Sequence, residues 1–486
     1  MKRINLLGIK VHVYLIVITI LLSSFYTYAC KPQIKPEHQP VSHDSLLSAM
    51  IRRQLTDVQR QLYFPKSVVR FYTANGYRTV WLRPQSGTGP TWQAMLMLDC
   101  TLQFGLPHAD YHPHELMYNK LHEILEKPGF ISIPQQARFE IMLTDAMINL
   151  MNNLHFGKLN PYVSTNQQDT QPAGGFDAPA LLTNALKQKD FLAVIGSAQP
   201  CSKDYVSLQQ YMQLRVGQQA GDCYDVPDSE IRKMAINLNR LRWADMDQNS
   251  YVQINIPTYT LTLHEPDSTY YFKVIVGKPQ NPTPQLNSEI LYFTTSPEWK
   301  IPNQIFRKEI LPKLIRMTNY ENLQYSIYNK NGAYIPIGPI GLKRVMNAPQ
   351  NYHATQSPGC DNALGNIVFR FPNIYNVFLH DTPQKQLFIK TQRTFSHGCI
   401  RVERAEYLAG TLLKYDKQDG KIMAVKHAIA HQRTINFKLA KPVPIRLTYI
   451  TCSVGEYGLV TYKDIYDLDN RLEMALYQSE SQLVAR

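Results

Sequence analysis

The residues best suited to chemistry lie in one short segment, Ser396-His397-Gly398-Cys399-Ile400-Arg401-Val402. A thiol is the most reactive protein nucleophile near neutral pH, but little of it is thiolate unless something takes the proton. A neighbouring imidazole can do this and can later protonate a leaving amine. Gly398 permits a tight backbone conformation just before the thiol. That conformation would turn the main-chain N–H of Cys399 toward a developing oxyanion. A second histidine stands in Leu379-His380-Asp381-Thr382-Pro383, with eighteen residues between His380 and Cys399. Thr382-Pro383 forces a turn directly after it. A lone cysteine or histidine is usually just packing. His-Gly-Cys preceded by a second histidine at a strand end points to nucleophilic catalysis.

These residues need a rigid frame, and the pattern around them is that of strands. Tyr251 to Pro257 alternates with period two, Tyr259 to Leu263 continues it, and Tyr270 to Val276 follows a Glu265-Pro266-Asp267-Ser268 turn. Asn366 to Phe371, Val377 to His380 and Pro444 to Thr451 add further strand-like runs. Residues 250–452 are therefore expected as a mainly-β domain. A long insert at 310–360, rich in Asn, Tyr and Gly, interrupts it in the manner of a binding loop or lid. Before residue 245 helical spacing dominates, in Leu46 to Ile51, Ile141 to Met151 and Ile231 to Trp243. The expected fold class is α+β: a helical domain over 45–245, the β domain, and a helical C-terminal extension over 453–486.

The first thirty residues have the parts of an export signal: Lys2, Arg3 and Lys10, an apolar run from Val11 to Leu22, and Thr27-Tyr28-Ala29 before Cys30. Cleavage there, lipidation of Cys30, or retention as an anchor all put the bulk of the chain outside the cytoplasmic membrane. Residues 31–44, rich in Pro and His, read as a tether. The net charge of +13 comes without a dense basic run or a nucleic-acid motif. Nucleic acid is therefore not an expected partner, whereas anionic lipid or a carboxylate-rich wall is. The seven cysteines show no CxxC spacing; Cys201 and Cys223 flank a polar segment and could form a disulfide.

The order His380, eighteen residues, Ser-His-Gly-Cys399 resembles the YkuD-type L,D-transpeptidase domain. Asn255-Ile256-Pro257, Val274 to Pro279, Thr283-Pro284, Pro297-Glu298-Trp299, Ile301-Pro302, Pro358-Gly359, Asn362 to Gly365 and Phe371-Pro372-Asn373 are similar to that domain in its large, scaffold-bearing branch. Phe71-Tyr72, Trp81, Leu143 to Ala146 and Asn237 to Trp243 extend the likeness into the helical half.

The resemblance implies a peptidoglycan cross-linking enzyme of the cell envelope or periplasm. Cys399 would attack the carbonyl between meso-diaminopimelate and the terminal D-Ala of a tetrapeptide donor. D-Ala would leave, and the side-chain amine of a diaminopimelate acceptor would resolve the thioester into a 3→3 link. No cofactor or metal is implied. His380 falls on the base. Asp381 falls on the position whose backbone carbonyl orients that imidazole, though its carboxylate could do so instead. His397 is the motif histidine, with a supporting role, beside Gly398. Arg401 could bind a stem carboxylate or make a structural salt bridge. Two departures stand out: there is no room for a peptidoglycan-binding domain between Tyr205 and Ile236, and Phe378 replaces a frequent Tyr. Other readings are an L,D-carboxypeptidase using water, a catalytically silent wall-binding protein, and a zinc hydrolase built on His380, Asp381, His397 and Cys399. The last lacks the HExxH spacing.

Overall fold

A computed structural model describes residues 43–83, 89–127, 129–218, 228–320 and 323–484. The N-terminal signal, Cys30, most of the tether and Cys223 lie outside the described residues. The first helix, His43–Asp57, already begins within the stretch expected as tether. Among the described residues no helix is long and apolar enough to cross a membrane.

The helical half is organised around Ile133–Phe156. Ser132 and Gln135 close its N-terminus as a capping box, with Pro134 in the first turn. Gly157 ends it with φ +73°, and a Cβ there would meet the Trp243 indole nitrogen at 2.9 Å. This axis is buried along most of its length, so its polar residues need internal partners. Asp145 accepts from the backbone N–H groups of Tyr63 and Phe64, both at 2.9 Å. Thr144 accepts from the Trp81 indole at 2.9 Å, and Tyr72 donates to the Glu140 carbonyl at 2.9 Å. The Phe71-Tyr72, Trp81 and Thr144-Asp145 motifs are thus the polar fastening of the scaffold.

The helix Ser229–Ala244 joins the two halves. Its Arg240 pairs with Asp469, which also accepts from Thr451 at 2.8 Å. Asn237 accepts from the Thr451 N–H at 2.7 Å. Ile231, Met234, Leu238 and Leu241 share a core with Ile450 and Cys452. The junction is therefore packed as an interior.

The β half comprises β1 (Tyr251–Asn255), β2 (Thr260–His264), β3 (Thr269–Gly277), β4 (Leu286–Thr295), β5 (Trp299–Ile301), β6 (Tyr325–Asn329), β7 (Tyr334–Ile335), β8 (Tyr352–Gln356), β9 (Ile367–Arg370), β10 (Leu379–His380), β11 (Thr394–Ser396), β12 (Ile400–Val402) and β13 (Ile435–Thr448). Nine of these form one sheet in the order β11-β3-β12-β10-β9-β4-β13-β1-β2, and β2 pairs again with β3. That second pairing closes eight strands into a barrel. Alternation sends Ile254, Leu261, Val274, Phe293, Phe369, Leu379 and Ile400 into a core shared with Leu408, Leu412 and Val425 from the following helices.

The insert is a folded unit. β5, β8, β6 and β7 make their own four-stranded sheet, and Phe306, Leu314, Ile327, Leu342 and Val345 are buried around it. It begins at Trp299, earlier than the composition suggested. The C-terminal extension is likewise not purely helical: the hairpin β14 (Cys452–Gly455) and β15 (Gly458–Thr461) precedes the helix Leu468–Val484. Glycines at both ends of its turn gave a hairpin signal that helical spacing further on obscured.

Candidate active site

β10 and β12 run parallel, with Leu379 opposite Ile400 and His380 opposite Arg401. Leu379 and Ile400 face the barrel core. Strand alternation therefore puts His380, Arg401 and the flanking Phe378 on the other face, while Cys399, in the turn just before β12, packs in part against the barrel core. β9 pairs with β10 through Val368 and His380, which brings Arg370 onto that face beside Phe378.

His380 is 5% exposed. Its Nδ1 lies 2.6 Å from the Asp381 carbonyl oxygen, so Nδ1 carries the proton and donates it. Nε2 is left as the basic nitrogen. Burial pushes the imidazole down to about 3; the charges of Arg401 and Arg370 add to this and the Asp381 carbonyl opposes it. The Asp381 carboxylate is used elsewhere: it accepts from the Asn366 N–H at 3.0 Å and pairs with Lys385. Of the two orienting groups that the sequence left open, the carbonyl is the one on the imidazole.

The turn that carries Cys399 is tied on both sides. Gly398 has φ +111°, in the range that L side chains avoid, while a Cβ there would find no atom nearer than 3.7 Å. Glycine is thus needed for backbone conformation, not for space. The Gly398 N–H donates to Ser396 Oγ at 3.1 Å, and Ser396 Oγ donates to the Cys399 carbonyl at 2.5 Å. Thr283 donates to the Gly398 carbonyl at 2.8 Å and accepts from the Gly277 N–H at 2.9 Å. Among the described residues no acceptor takes the Cys399 N–H. Burial raises the thiol above its usual 9.0, opposed by a backbone hydrogen bond from Phe378 and by the charges of Arg370 and Arg401.

Arg401 donates to Gln384 Oε1 at 2.8 Å, and its buried Nε has no partner. It makes no ion pair among the described residues, so the structural salt bridge is not formed. His397 is exposed, with Nε2 2.6 Å from Glu309 Oε1. Glu309 lies in the π-helical turn Phe306–Ile310 of the insert, an irregularity common at functional sites. Among the described residues no three His, Cys, Asp or Glu side chains cluster as a metal site.

Sequence reasoning missed Arg370, Ser396 as a turn clamp, Thr283 as a brace and Glu309 as the partner of His397. Arg370 was legible only through strand pairing. Glu309 lies 88 residues from His397, and nothing local marks it.

Residues 249–426 match the family described as the L,D-transpeptidase catalytic domain, YkuD. Residues 66–212 match the family described as the Scaffold domain. A Haemophilus influenzae protein named "Putative L,D-transpeptidase" is 31% identical over 247 residues, 50% of this chain and 49% of that protein. The chain thus spans about half the length of this curated relative. A solved structure, "L,D-transpeptidase from Mycobacterium smegmatis", is 14% identical over 41% of this chain and 58% of that one, with a TM-score of 0.18, too slight a likeness to carry an argument. Residues 249–426 are therefore a YkuD-type L,D-transpeptidase catalytic domain, joined to a scaffold domain at residues 66–212.

Proposed function

We propose that the chain is an exported peptidoglycan L,D-transpeptidase that makes 3→3 cross-links through a thioester on Cys399. The observation that carries this reading is the His380 arrangement. Its Nδ1 is fixed on the Asp381 carbonyl, and β10, which carries it, lies directly beside β12, which follows Cys399 in the chain.

In this reading Cys399 Sγ attacks the carbonyl between diaminopimelate and D-Ala, and its proton passes to His380 Nε2. The Cys399 N–H stabilises the oxyanion. Collapse breaks the C–N bond, and His380 returns the proton to the departing D-Ala amine. The amine of the acceptor stem then attacks the thioester, loses a proton to His380, and expels the thiolate, which takes that proton back. Arg401, with one buried donor unspent, binds a stem carboxylate. The insert, which reaches the catalytic turn through Glu309 and His397, covers the thioester and limits attack by water.

The test is incubation with tetrapeptide-bearing wall fragments, followed by mass spectrometry of the products. Dimers with 3→3 links and released D-Ala support transfer. Tripeptides alone mean that water is the acceptor and the chain is a carboxypeptidase. Unchanged fragments sink the assignment.

A further inference from the structure

Arg370 has no role in the reading above, yet its place is unusual. It ends β9 on the face that carries His380. Its guanidinium carbon lies 4.5 Å above the Phe378 ring, and the Phe378 and His380 rings are 5.7 Å apart. Among the described residues the Arg370 guanidinium has neither a carboxylate within 4 Å nor a hydrogen bond. Its donors are thus unspent while its cation is held in place by the ring. Arg401 brings a second guanidinium to the same face, also without a carboxylate. Both charges reach the reacting groups, since both act on Cys399 and on His380.

Two guanidinium groups without a carboxylate, beside a half-buried thiol, favour a bound anion. An alkyl or neutral amide substrate would leave both without an anionic partner. We infer that Arg370, stacked on Phe378, acts with Arg401 as a specificity-determining clamp for a carboxylate next to the scissile amide. The clamp rests on the reading of Cys399 as the nucleophile. It adds that the donor must be anionic within one residue of the attacked carbonyl. Two carboxylates qualify: the terminal one on the leaving residue, and the one on the side chain of the acyl residue.

Two measurements test this, on wild type, Arg370→Gln and Arg370→Lys. In the first, Cys399 is alkylated with anionic iodoacetate and with neutral iodoacetamide, and the reaction is followed on the Cys399 peptide. The wild type should favour iodoacetate, relative to a small free thiol, by about tenfold or more, in the range of a charge-assisted hydrogen bond. Arg370→Gln should lose most of that preference and Arg370→Lys should keep part of it. In the second, kcat/KM is measured for a tetrapeptide donor, its C-terminal amide, and its acyl side-chain amide. Arg370→Gln should cost the acid donor at least about tenfold more than one of the two amides, and the insensitive amide identifies the carboxylate bound. An iodoacetate preference equal in wild type and Arg370→Gln, or equal losses on all three donors, overturns the clamp while leaving Cys399 as nucleophile. A Cys399 that reacts with neither reagent overturns both.

Discussion

In the substrate-free protein the thiol and the imidazole should both be neutral, and the pH dependence of thiol alkylation exposes this. Burial drives the His380 imidazole down to about 3 and the Cys399 thiol above 9.0. Both shifts oppose proton transfer from the thiol to the imidazole, so the thiolate beside a neutral imidazole is the species that alkylates. Its fraction at pH 7 lies below the few per cent of an ordinary thiol and grows about tenfold with each unit of pH. The rate constant for iodoacetamide on Cys399 should rise about a hundredfold between pH 6 and pH 8, with a slope near one. The assay is pseudo-first-order labelling with quantification of the Cys399 peptide; Cys360, a free and exposed thiol, serves as a reference in the same digest. A Cys399 rate that is flat from pH 5 to pH 8 would show a preformed ion pair and refute this electrostatic reasoning.

Replacing His380 by Ala should lower kcat/KM by about 10²–10⁴, the usual worth of a general base; a loss under about tenfold would move the base to His397. His380 also makes the fold acid-sensitive. Its folded-state pKa is depressed, so below about 6.5 the unfolded chain takes a proton that the folded chain refuses, and stability falls with pH down to about 3. Between pH 7 and pH 5 the wild type should lose about 2 kcal/mol more than His380→Gln, read from urea unfolding at constant ionic strength; equal losses would contradict the burial argument. Glu309→Gln weakens the contact between the insert and the catalytic turn and should raise the ratio of tripeptide to cross-linked product. An unchanged ratio in the fragment assay would show that the insert does not shield the thioester.

Much of the fold could be read from local pattern. Ile231 to Trp243 is a helix because its apolar residues recur at helical spacing, and Tyr270 to Val276 is a strand because its side chains alternate. The closure of the barrel could not be read, because it rests on β2 pairing with both β1 and β3 and on β13 lying between β1 and β4. The insert looked like a loop because its apolar residues are scattered; Phe306, Ile327 and Val345 meet only in the folded sheet. At the site, adjacency in sequence pointed to Gly398 and Cys399, and a strand end followed by Thr382-Pro383 pointed to His380. The carbonyl that orients His380 was one of two local options, and only the Asn366 and Lys385 contacts of the Asp381 carboxylate separate them. Arg370 is set by register, a property of three strands at once, which no single segment displays.

The central claim is that Cys399 is acylated by the donor stem. Wild type and Cys399→Ala should be incubated with tetrapeptide donor and no amine acceptor, quenched in acid and examined by intact-protein mass spectrometry with peptide mapping. The wild type should gain a mass equal to the donor minus D-Ala, confined to the Cys399 peptide, reversed by hydroxylamine and absent from Cys399→Ala. Release of D-Ala by a folded Cys399→Ala variant, or an adduct on another residue, would contradict it.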